Sequence, residues 1–185
     1  MFDQLFCLFV VPVLQLNMDK VNSGIKLFDE KVYLRDYRQR EDFEIRSLEW
    51  PGDYEKGICE VLNQLSSCKT DAKTFEKVFR RMCDQQGAFV VVAHSTWDDS
   101  IIGCGTVFIE PKFLHGGKTC AHIEDIVVSA QSRGHHVGQA IIESLLSIAR
   151  HTDSYKVVLN CTENNIGFYQ KCDFSRREIE MAIYF

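Results

Sequence analysis

The sequence lacks the signatures of several protein classes. Three prolines and 11 glycines in 185 residues leave no Pro/Gly-rich linker, low-complexity tract or collagen-like repeat. No apolar run reaches the roughly 18 residues that cross a bilayer as a helix. The net charge of −5 argues against a broadly basic surface for nucleic acid, so we expect no nucleic-acid partner. The length suits one domain with an extension.

Eight cysteines are the one unusual count in the composition. No two of them lie closer than nine residues, so the Cys-x-x-Cys spacing of zinc ribbons and fingers is absent and we expect no metal. A disulfide framework is typical of short secreted chains. The count therefore favours reduced thiols in a cytoplasmic protein, most of them buried as small apolar residues.

The amino-terminal segment 5–16 is almost entirely apolar. It is too short to cross a bilayer as a helix, and Asp3 stands where a signal peptide carries a cation. We expect residues 1–42 to be an extension, and the segment 5–16 to pack on the domain or on a partner subunit. Peripheral membrane association, without stable insertion, is the alternative. Residues 43–185 are expected to form the domain.

The periodicity of apolar residues predicts an α/β fold in which helices cover a mixed sheet. The predicted element order is β-α-α-β-β-β-α-β-α-β. The predicted strands are 43–48, 88–94, 101–109, 119–128, 155–161 and 174–184. The predicted helices are 54–65, a segment opened by Asp71 and stopped by Gly87, 137–151 and 163–172.

A glycine-containing loop joins the strand 119–128 to the helix that begins at Val137. The N–H groups of a first helical turn have no helical partner, and the helix dipole favours an anion there. Arg133 adds a guanidinium suited to phosphate, while Gly134 and Gly138 would let a ligand approach the backbone. A helix start that binds nothing is the other interpretation. The loop is neither a Walker motif nor a dinucleotide fingerprint.

The pattern Arg133-x-x-x-x-Gly138 at this junction resembles the acetyl-CoA pyrophosphate loop of the GNAT superfamily of N-acetyltransferases. The predicted element order is similar to the GNAT fold as well. The chain is most similar to one subfamily, the glucosamine-6-phosphate N-acetyltransferases, over residues 43–185. The motifs that carry this similarity are Lys112-Phe-Leu-His115, His122-Ile-Glu-Asp-Ile-Val-Val128, Arg133-Gly134, Tyr155-Lys156 and Asn165-x-Gly-Phe-Tyr169-x-Lys171.

The resemblance implies transfer of the acetyl group of acetyl-CoA to the amine of D-glucosamine 6-phosphate, for UDP-N-acetylglucosamine synthesis. It also implies a homodimer, in which the carboxyl-terminal strand crosses to the partner. Acetyl-CoA is the cosubstrate, and no metal is implied. In the superfamily a glycine usually stands where this chain has His136. The implied CoA contacts are Ile126, Val127, Val128, Arg133, Gly134, His135, His136, Val137, Gly138, Gln139, Asn165 and Tyr169.

Two catalytic roles follow from this resemblance. Backbone N–H groups of 126–128 would polarise the thioester carbonyl as an oxyanion hole does. Tyr169 would donate a proton to the departing thiolate, because a phenol with a pKa of about 10 is protonated at neutral pH. The base for the amine stays open among Glu124, Asp125 and the carbonyl of Asn160. Adjacent strand residues point to opposite faces, so Glu124 and Asp125 are not expected to form a close pair.

The implied substrate contacts include cations for the sugar phosphate, which Lys112 and His115 supply. The full implied set is Ser66, Lys112, Phe113, Leu114, His115, Glu124, Asp125, Ile126, Leu159 and Asn160. Related enzymes carry a basic residue near the last strand, where this chain has Tyr184, with Arg176 and Arg177 further back.

Two other functions remain open at this point. One is acetylation of a different amine, on protein lysines, amino termini or polyamines. The other is acyl-CoA binding without catalysis. Lys112, His115 and the Glu124-Asp125 pair favour a polar phosphorylated substrate over a peptide, and Tyr169 argues against loss of catalysis.

Overall fold

A mixed five-stranded sheet forms the centre of the protein. The computed structural model describes residues 24–34 and 40–184, so the apolar segment 5–16 lies outside the described residues. The strands are β1 (Ile25–Lys26), β2 (Phe43–Ser47), β3 (Glu49–Trp50), β4 (Ala88–Ser95), β5 (Ile101–Pro111), β6 (Thr119–Val128) and β7 (Ser154–Leu159). The helices are α1 (Glu30–Tyr33), α2 (Gly52–Glu55), α3 (Ile58–Leu62), α4 (Ala72–Asp84), α5 (Val137–His151) and α6 (Ile166–Gln170).

The strand order of the main sheet is β2-β4-β5-β6-β7, while β1 and β3 form a separate ribbon. Neighbouring strands from β2 to β6 run antiparallel. Strands β6 and β7 run parallel, and α5 makes the crossover between them. The predicted mixed α/β sheet is therefore confirmed. Within the described residues, no helix is both long and apolar enough to cross a membrane.

Helices cover both faces of the sheet because their apolar residues recur at helical spacing. On one face, Ile141, Leu145 and Ile148 of α5 are completely buried against the strands. Their spacing of i, i+4 and i+7 places them on a single side of the helix. On the other face, Ile58 of α3 and Phe79 of α4 fill a second core.

The described part of the predicted extension packs on the domain. Phe28 and Leu34 are buried in the same core as α5. The Phe28 N–H donates a hydrogen bond to the hydroxyl of Ser47 on β2, at 3.1 Å. The boundary between residues 42 and 43 stays a prediction.

The single helix predicted over 54–65 is wrong, because two short helices replace it. Gly57 adopts a φ of 90°, which a right-handed helix does not contain, and it separates α2 from α3. The buried Asp53 of α2 is held to β2 by hydrogen bonds from both terminal nitrogens of Arg46. Helix α3 instead packs on the sheet through Ile58 and Val61. The two helices are therefore held by different contacts, α2 by an ion pair to β2 and α3 by apolar side chains on the sheet.

The last predicted strand, 174–184, is also wrong for the single chain. This segment has no regular secondary structure. Ile179, Met181 and Ile183 alternate as a strand would require, but all three are exposed. A strand needs a neighbour for its hydrogen bonds, and among the described residues none lies beside this segment.

The cysteines are less buried than the sequence predicts. The seven in the described ranges are free thiols. Only Cys104 and Cys120 are buried, both in central strands. The expectation that most of the cysteines are buried is therefore wrong.

Two glycines of β5 allow α5 to lie close to the sheet, as the sequence suggests for this strand. A Cβ on Gly103 would lie 3.0 Å from the side chain of Ile141. A Cβ on Gly105 would lie 2.5 Å from Cδ1 of Ile126 and 2.7 Å from Cγ2 of Ile141. The missing side chains thus provide space for residues of β6 and α5.

We predict that Gly105→Ala lowers the free energy of unfolding by about 1–3 kcal/mol, because the added methyl overpacks the core. Urea denaturation monitored by circular dichroism measures the change. Gly167→Ala on α6 is the matched control, since a Cβ there meets nothing within 4 Å. Equal midpoints for wild type and Gly105→Ala would contradict this packing.

Candidate active site

A β-bulge interrupts β6 next to the predicted Glu-Asp pair. Glu124 pairs with Thr106 and Val127 pairs with Cys104, so Gly105 alone faces both Asp125 and Ile126. Asp125 adopts a left-handed φ of 54°, and this conformation absorbs the extra residue.

The bulge changes the environment of the two carboxylates. The strict alternation that would separate Glu124 and Asp125 does not hold here. Partial desolvation raises the pKa of Glu124, and the Asp125 carboxylate raises it further. The charges of the two carboxylates therefore interact, and their separation as a pair stays a prediction.

Strand β6 also separates from β7 near the bulge. The last pair between them is Ile123 with Leu159, whereas β6 continues to Val128. Among the described residues, no strand lies beside 124–128 on that edge. Backbone groups along this edge are therefore available to bind a ligand.

The predicted anion loop connects the end of β6 to the amino terminus of α5. The N–H of Ser129 donates to the carbonyl of Ile102 at 2.8 Å, and the N–H of Ala130 donates to Oε1 of Gln64 at 2.9 Å. Nε of Arg133 donates a hydrogen bond to the carbonyl of Val128 at 3.2 Å. These bonds hold the loop beside the first turn of α5.

His136 occupies a backbone conformation that favours glycine. It precedes α5 with a left-handed φ of 61°, which costs a non-glycine residue about 1–2 kcal/mol. A hydrogen bond of 2.6 Å between its Nδ1 and Oε1 of Gln139 stabilises this conformation. The glycine that is usual at this position in the superfamily therefore has a conformational explanation.

Gly138 has a packing role in addition to the one predicted. A Cβ there would lie 3.1 Å from Cζ of Phe168, so the missing side chain serves the packing of α6 on α5. Gly134 has a φ of 85° and open space around it. Gly134 thus leaves room for a ligand at the loop, and the same role for Gly138 stays a prediction.

An open groove of about 710 Å³ runs from the separated edge of β6 past the loop to α6. Predicted residues lining it are Ile126, Val127, Val128, Arg133, Gly134, His136, Val137, Gly138, Gln139, Asn165 and Tyr169. His135 is exposed and does not line it. The prediction missed Gln64, Leu65, Ser132, Phe168 and Lys171. Phe168 and Lys171 stand in a quoted motif, but no local pattern marks Gln64 or Leu65.

Tyr169 lies half-buried at the groove. Its ring makes edge-on contacts with Phe168 and Phe174, at centroid distances of 5.0 and 6.1 Å. Burial raises the pKa of Tyr169, and nearby Cys161 and other acidic groups raise it further. The phenol therefore stays protonated at neutral pH and can donate a proton.

A row of charged side chains runs along the face of β5 and β6 that lies opposite α5. Oε2 of Glu110 is 2.5 Å from Nζ of Lys112 and 2.9 Å from Nε2 of His122. The Lys112 ammonium lowers the pKa of the Glu110 carboxyl, and His122 lowers it further. The Glu110 carboxylate in turn raises the pKa of Lys112. Glu124 follows His122 by two strand residues, on the same face. Neither Glu110 nor His122 was predicted as a site residue.

The other predicted substrate residues are more scattered. The rings of His115 and Tyr155 stack at 4.0 Å. Phe113 and Leu114 are exposed at the tip of the same loop. Of the predicted substrate set, only Ile126 lines the groove. The exposed or half-exposed members outside it are Ser66, Lys112, Phe113, Leu114, His115, Glu124, Asp125, Leu159 and Asn160.

Tyr184, Arg176 and Arg177 are not among the residues that line the groove. Tyr184 is exposed, and Arg176 lies 3.9 Å from the Glu163 carboxylate. Within the described residues, the predicted phosphate contact at the carboxyl end is therefore not assigned to Tyr184, Arg176 or Arg177.

Comparison with known proteins agrees with this geometry. The acetyltransferase (GNAT) family profile matches residues 56–174. Glucosamine 6-phosphate N-acetyltransferase 1 of Dictyostelium discoideum is 40% identical over 133 residues, covering 71% of this chain and 85% of that protein. Probable glucosamine 6-phosphate N-acetyltransferase 2 of Oryza sativa subsp. japonica is 37% identical over 146 residues, covering 77% and 87% respectively. The crystal structure of glucosamine-6-phosphate N-acetyltransferase from Arabidopsis thaliana superposes with a TM-score of 0.75 at 34% identity, covering 78% of this chain and 99% of that one.

Proposed function

The chain belongs to the acetyltransferase (GNAT) family, and we propose that it transfers the acetyl group of acetyl-CoA to the amine of D-glucosamine 6-phosphate. The products are N-acetyl-D-glucosamine 6-phosphate and CoA, for UDP-N-acetylglucosamine synthesis in the cytoplasm. The observation that carries this proposal is the bulged, unpaired end of β6 beside Tyr169 and the amino terminus of α5. The names of relatives that are 37–40% identical support the choice of amine.

Acetyl-CoA binds in the groove with its pyrophosphate at α5. The first-turn N–H groups of Val137, Gly138 and Gln139 donate to the phosphate oxygens, and the helix dipole favours their charge. Arg133 and Lys171 add two cations, and no carboxylate side chain is among the residues that line the groove. The groove is therefore suited to a polyanion.

The reaction needs a polarised carbonyl and a proton for sulfur. Backbone N–H groups of 126–128 donate to the thioester oxygen, and each such donor is worth about 3–4 kcal/mol in the transition state. The amine nitrogen attacks the carbonyl carbon, a C–N bond forms and the C–S bond breaks. Tyr169 gives its proton to the departing thiolate, which leaves as the CoA thiol.

The amine must lose a proton to form the amide. Glu124 is the member of the charged row next to the bulge, and it accepts this proton directly or through water. The carbonyl of Asn160, at the end of β7, orients the amine. Lys112 and His115 hold the sugar phosphate, which replaces Glu110 as the partner of the Lys112 ammonium.

The active enzyme is a homodimer. β7 is an edge strand whose apolar residues are only half-buried. The segment 174–184 exposes Ile179, Met181 and Ile183 without a neighbouring strand. Pairing of this segment with a second copy would cover both the open edge of β7 and the exposed apolar side chains of the segment.

We expect Tyr169→Phe to lower kcat about 100-fold or more, because the thiolate loses its proton donor, while CoA affinity changes little. Thiol release from acetyl-CoA and glucosamine 6-phosphate measures kcat. Because the pKa of Tyr169 is raised, wild-type kcat should show no alkaline decline from this group below about pH 10. Tyr54→Phe, which removes only a hydrogen bond to the Thr70 carbonyl, is the control. Undiminished turnover in Tyr169→Phe would refute the role of Tyr169.

Lys112→Met should raise KM for glucosamine 6-phosphate about tenfold or more, since a charge-assisted hydrogen bond to phosphate is lost. It should leave kcat/KM for unphosphorylated glucosamine nearly unchanged. The exposed Lys77→Met on α4 controls for a general loss of positive charge. Equal losses with both sugars would place Lys112 away from the phosphate.

Removal of residues 178–185 should convert the dimer to a monomer, because the exposed apolar segment is lost. Light scattering coupled to size exclusion should give about twice 21.3 kDa for the full chain and a monomer mass for the truncated chain. The full chain with Lys77→Met serves as a folded control. A monomeric full chain, or a truncated chain that remains dimeric, would contradict the proposed interface.

A further inference from the structure

Three metal-ligating side chains meet on the sheet face opposite α5, at the start of β6. One ligand atom each of Glu110, Cys120 and His122 lies within 4.8 Å of both others. They supply an oxygen, a sulfur and a nitrogen. The three residues are separated by up to 12 positions in sequence, and antiparallel pairing brings them together.

The strand register explains this cluster. Glu110 of β5 pairs directly with Cys120 of β6, while His122 pairs with Phe108. Cys120 and His122 are two residues apart and share a face, as do Phe108 and Glu110. The three ligands are therefore held by regular sheet geometry rather than by a loop.

We propose that Glu110, Cys120 and His122 form a zinc site, separate from the acetyl-transfer groove. Thiolate and imidazole ligands select zinc over magnesium or calcium, which prefer oxygen. Three protein ligands leave a fourth position for water, as in open zinc sites. The site does not depend on the proposed function.

Glu110 and His122 need only a small adjustment to hold zinc, while the sulfur of Cys120, within 4.8 Å of both ligand atoms, must come closer to them. Zinc lies about 2.3 Å from sulfur and about 2.0–2.2 Å from nitrogen and oxygen, so tetrahedral ligands are about 3.3–3.7 Å apart. Nε2 of His122 and Oε2 of Glu110 are now 2.9 Å apart, in a hydrogen bond. Both side chains are partly exposed, at 38% and 46%, and can separate by a few tenths of an ångström.

Cys120 adds the sulfur at the buried end of the cluster. Cys120 is 1% exposed, and its Sγ donates a long hydrogen bond of 4.0 Å to the carbonyl of Ala121. Metal binding would release the thiol proton to solvent and engage the neutral imidazole of His122.

Lys112 is the natural competitor for this site. Its ammonium lies 2.5 Å from the Glu110 oxygen that also bonds His122. A cation therefore already sits where zinc would bind Glu110. Removing this ammonium should favour the metal, whereas removing the sulfur should abolish the site.

Cobalt(II) is the probe, because a thiolate ligand gives it a charge-transfer band in the near ultraviolet. The full-length reduced protein is titrated with Co²⁺, and Zn²⁺ is then added. We expect a band that saturates at one equivalent and that Zn²⁺ abolishes. We expect Cys120→Ser to lack this band, His122→Asn to bind Co²⁺ at least tenfold more weakly, and Lys112→Met to bind it more tightly.

Cys161→Ser is the matched control, since Cys161 is an exposed thiol outside the cluster and its loss should leave the band unchanged. No band in wild type, or a band that persists in folded Cys120→Ser, overturns the proposal. A band that Zn²⁺ fails to displace overturns the assignment to zinc. Because the readout is absorbance of the protein without substrate, failure of acetyl transfer would not affect it.

Discussion

The packing of Ile126 of β6 into the space left by Gly105 of β5 is the contact on which the site depends. Without a Cβ at Gly105, the Ile126 side chain reaches α5 and β6 accommodates one extra residue. Beyond this bulge β6 no longer pairs with β7. The free edge ends at the loop that begins α5, so one local irregularity places open backbone groups beside an anion site.

The charged side chains around the bulge lie in two separate regions. Arg133 and Lys171 line the groove, which contains no carboxylate side chain. Glu110, His122 and Glu124 instead follow the face of β5 and β6 opposite α5, where Lys112 pairs with Glu110. A polyanionic cofactor and a sugar phosphate would thus approach the bulge from different directions. The amine of the sugar would meet the thioester where the two regions join.

The regular elements could be predicted from the sequence because their signals are local. The apolar periodicity of α5 and the capping residue Asp71 of α4 predict those two helices. The side chain of Asp71 does accept a hydrogen bond from the N–H of Thr74. The bounds of β6 agree with the prediction for the same reason. Long-range packing decides the features that were missed. The bulge at Asp125 lies opposite Gly105 of β5, the break at Gly57 follows a helix whose Asp53 pairs with Arg46 of β2, and Gln64 reaches the loop from the turn after α3.

The predicted strand at 174–184 shows a different limit. Its apolar residues alternate as those of a half-buried strand do, and they are exposed. The described part of the single chain contains no strand that pairs with this segment. Likewise, the separation of Cys120 from Glu110 by ten positions hides a cluster that strand register creates. The sequence pattern of one segment does not reveal which distant residues that segment will contact.

The most direct test of the account is a wild-type turnover measurement with acetyl-CoA and either glucosamine 6-phosphate or glucosamine. Thiol release and product mass are followed together. We expect equal amounts of CoA and N-acetylglucosamine 6-phosphate, with far slower turnover of the unphosphorylated sugar. Thermal stabilisation by CoA without turnover of either sugar would contradict it.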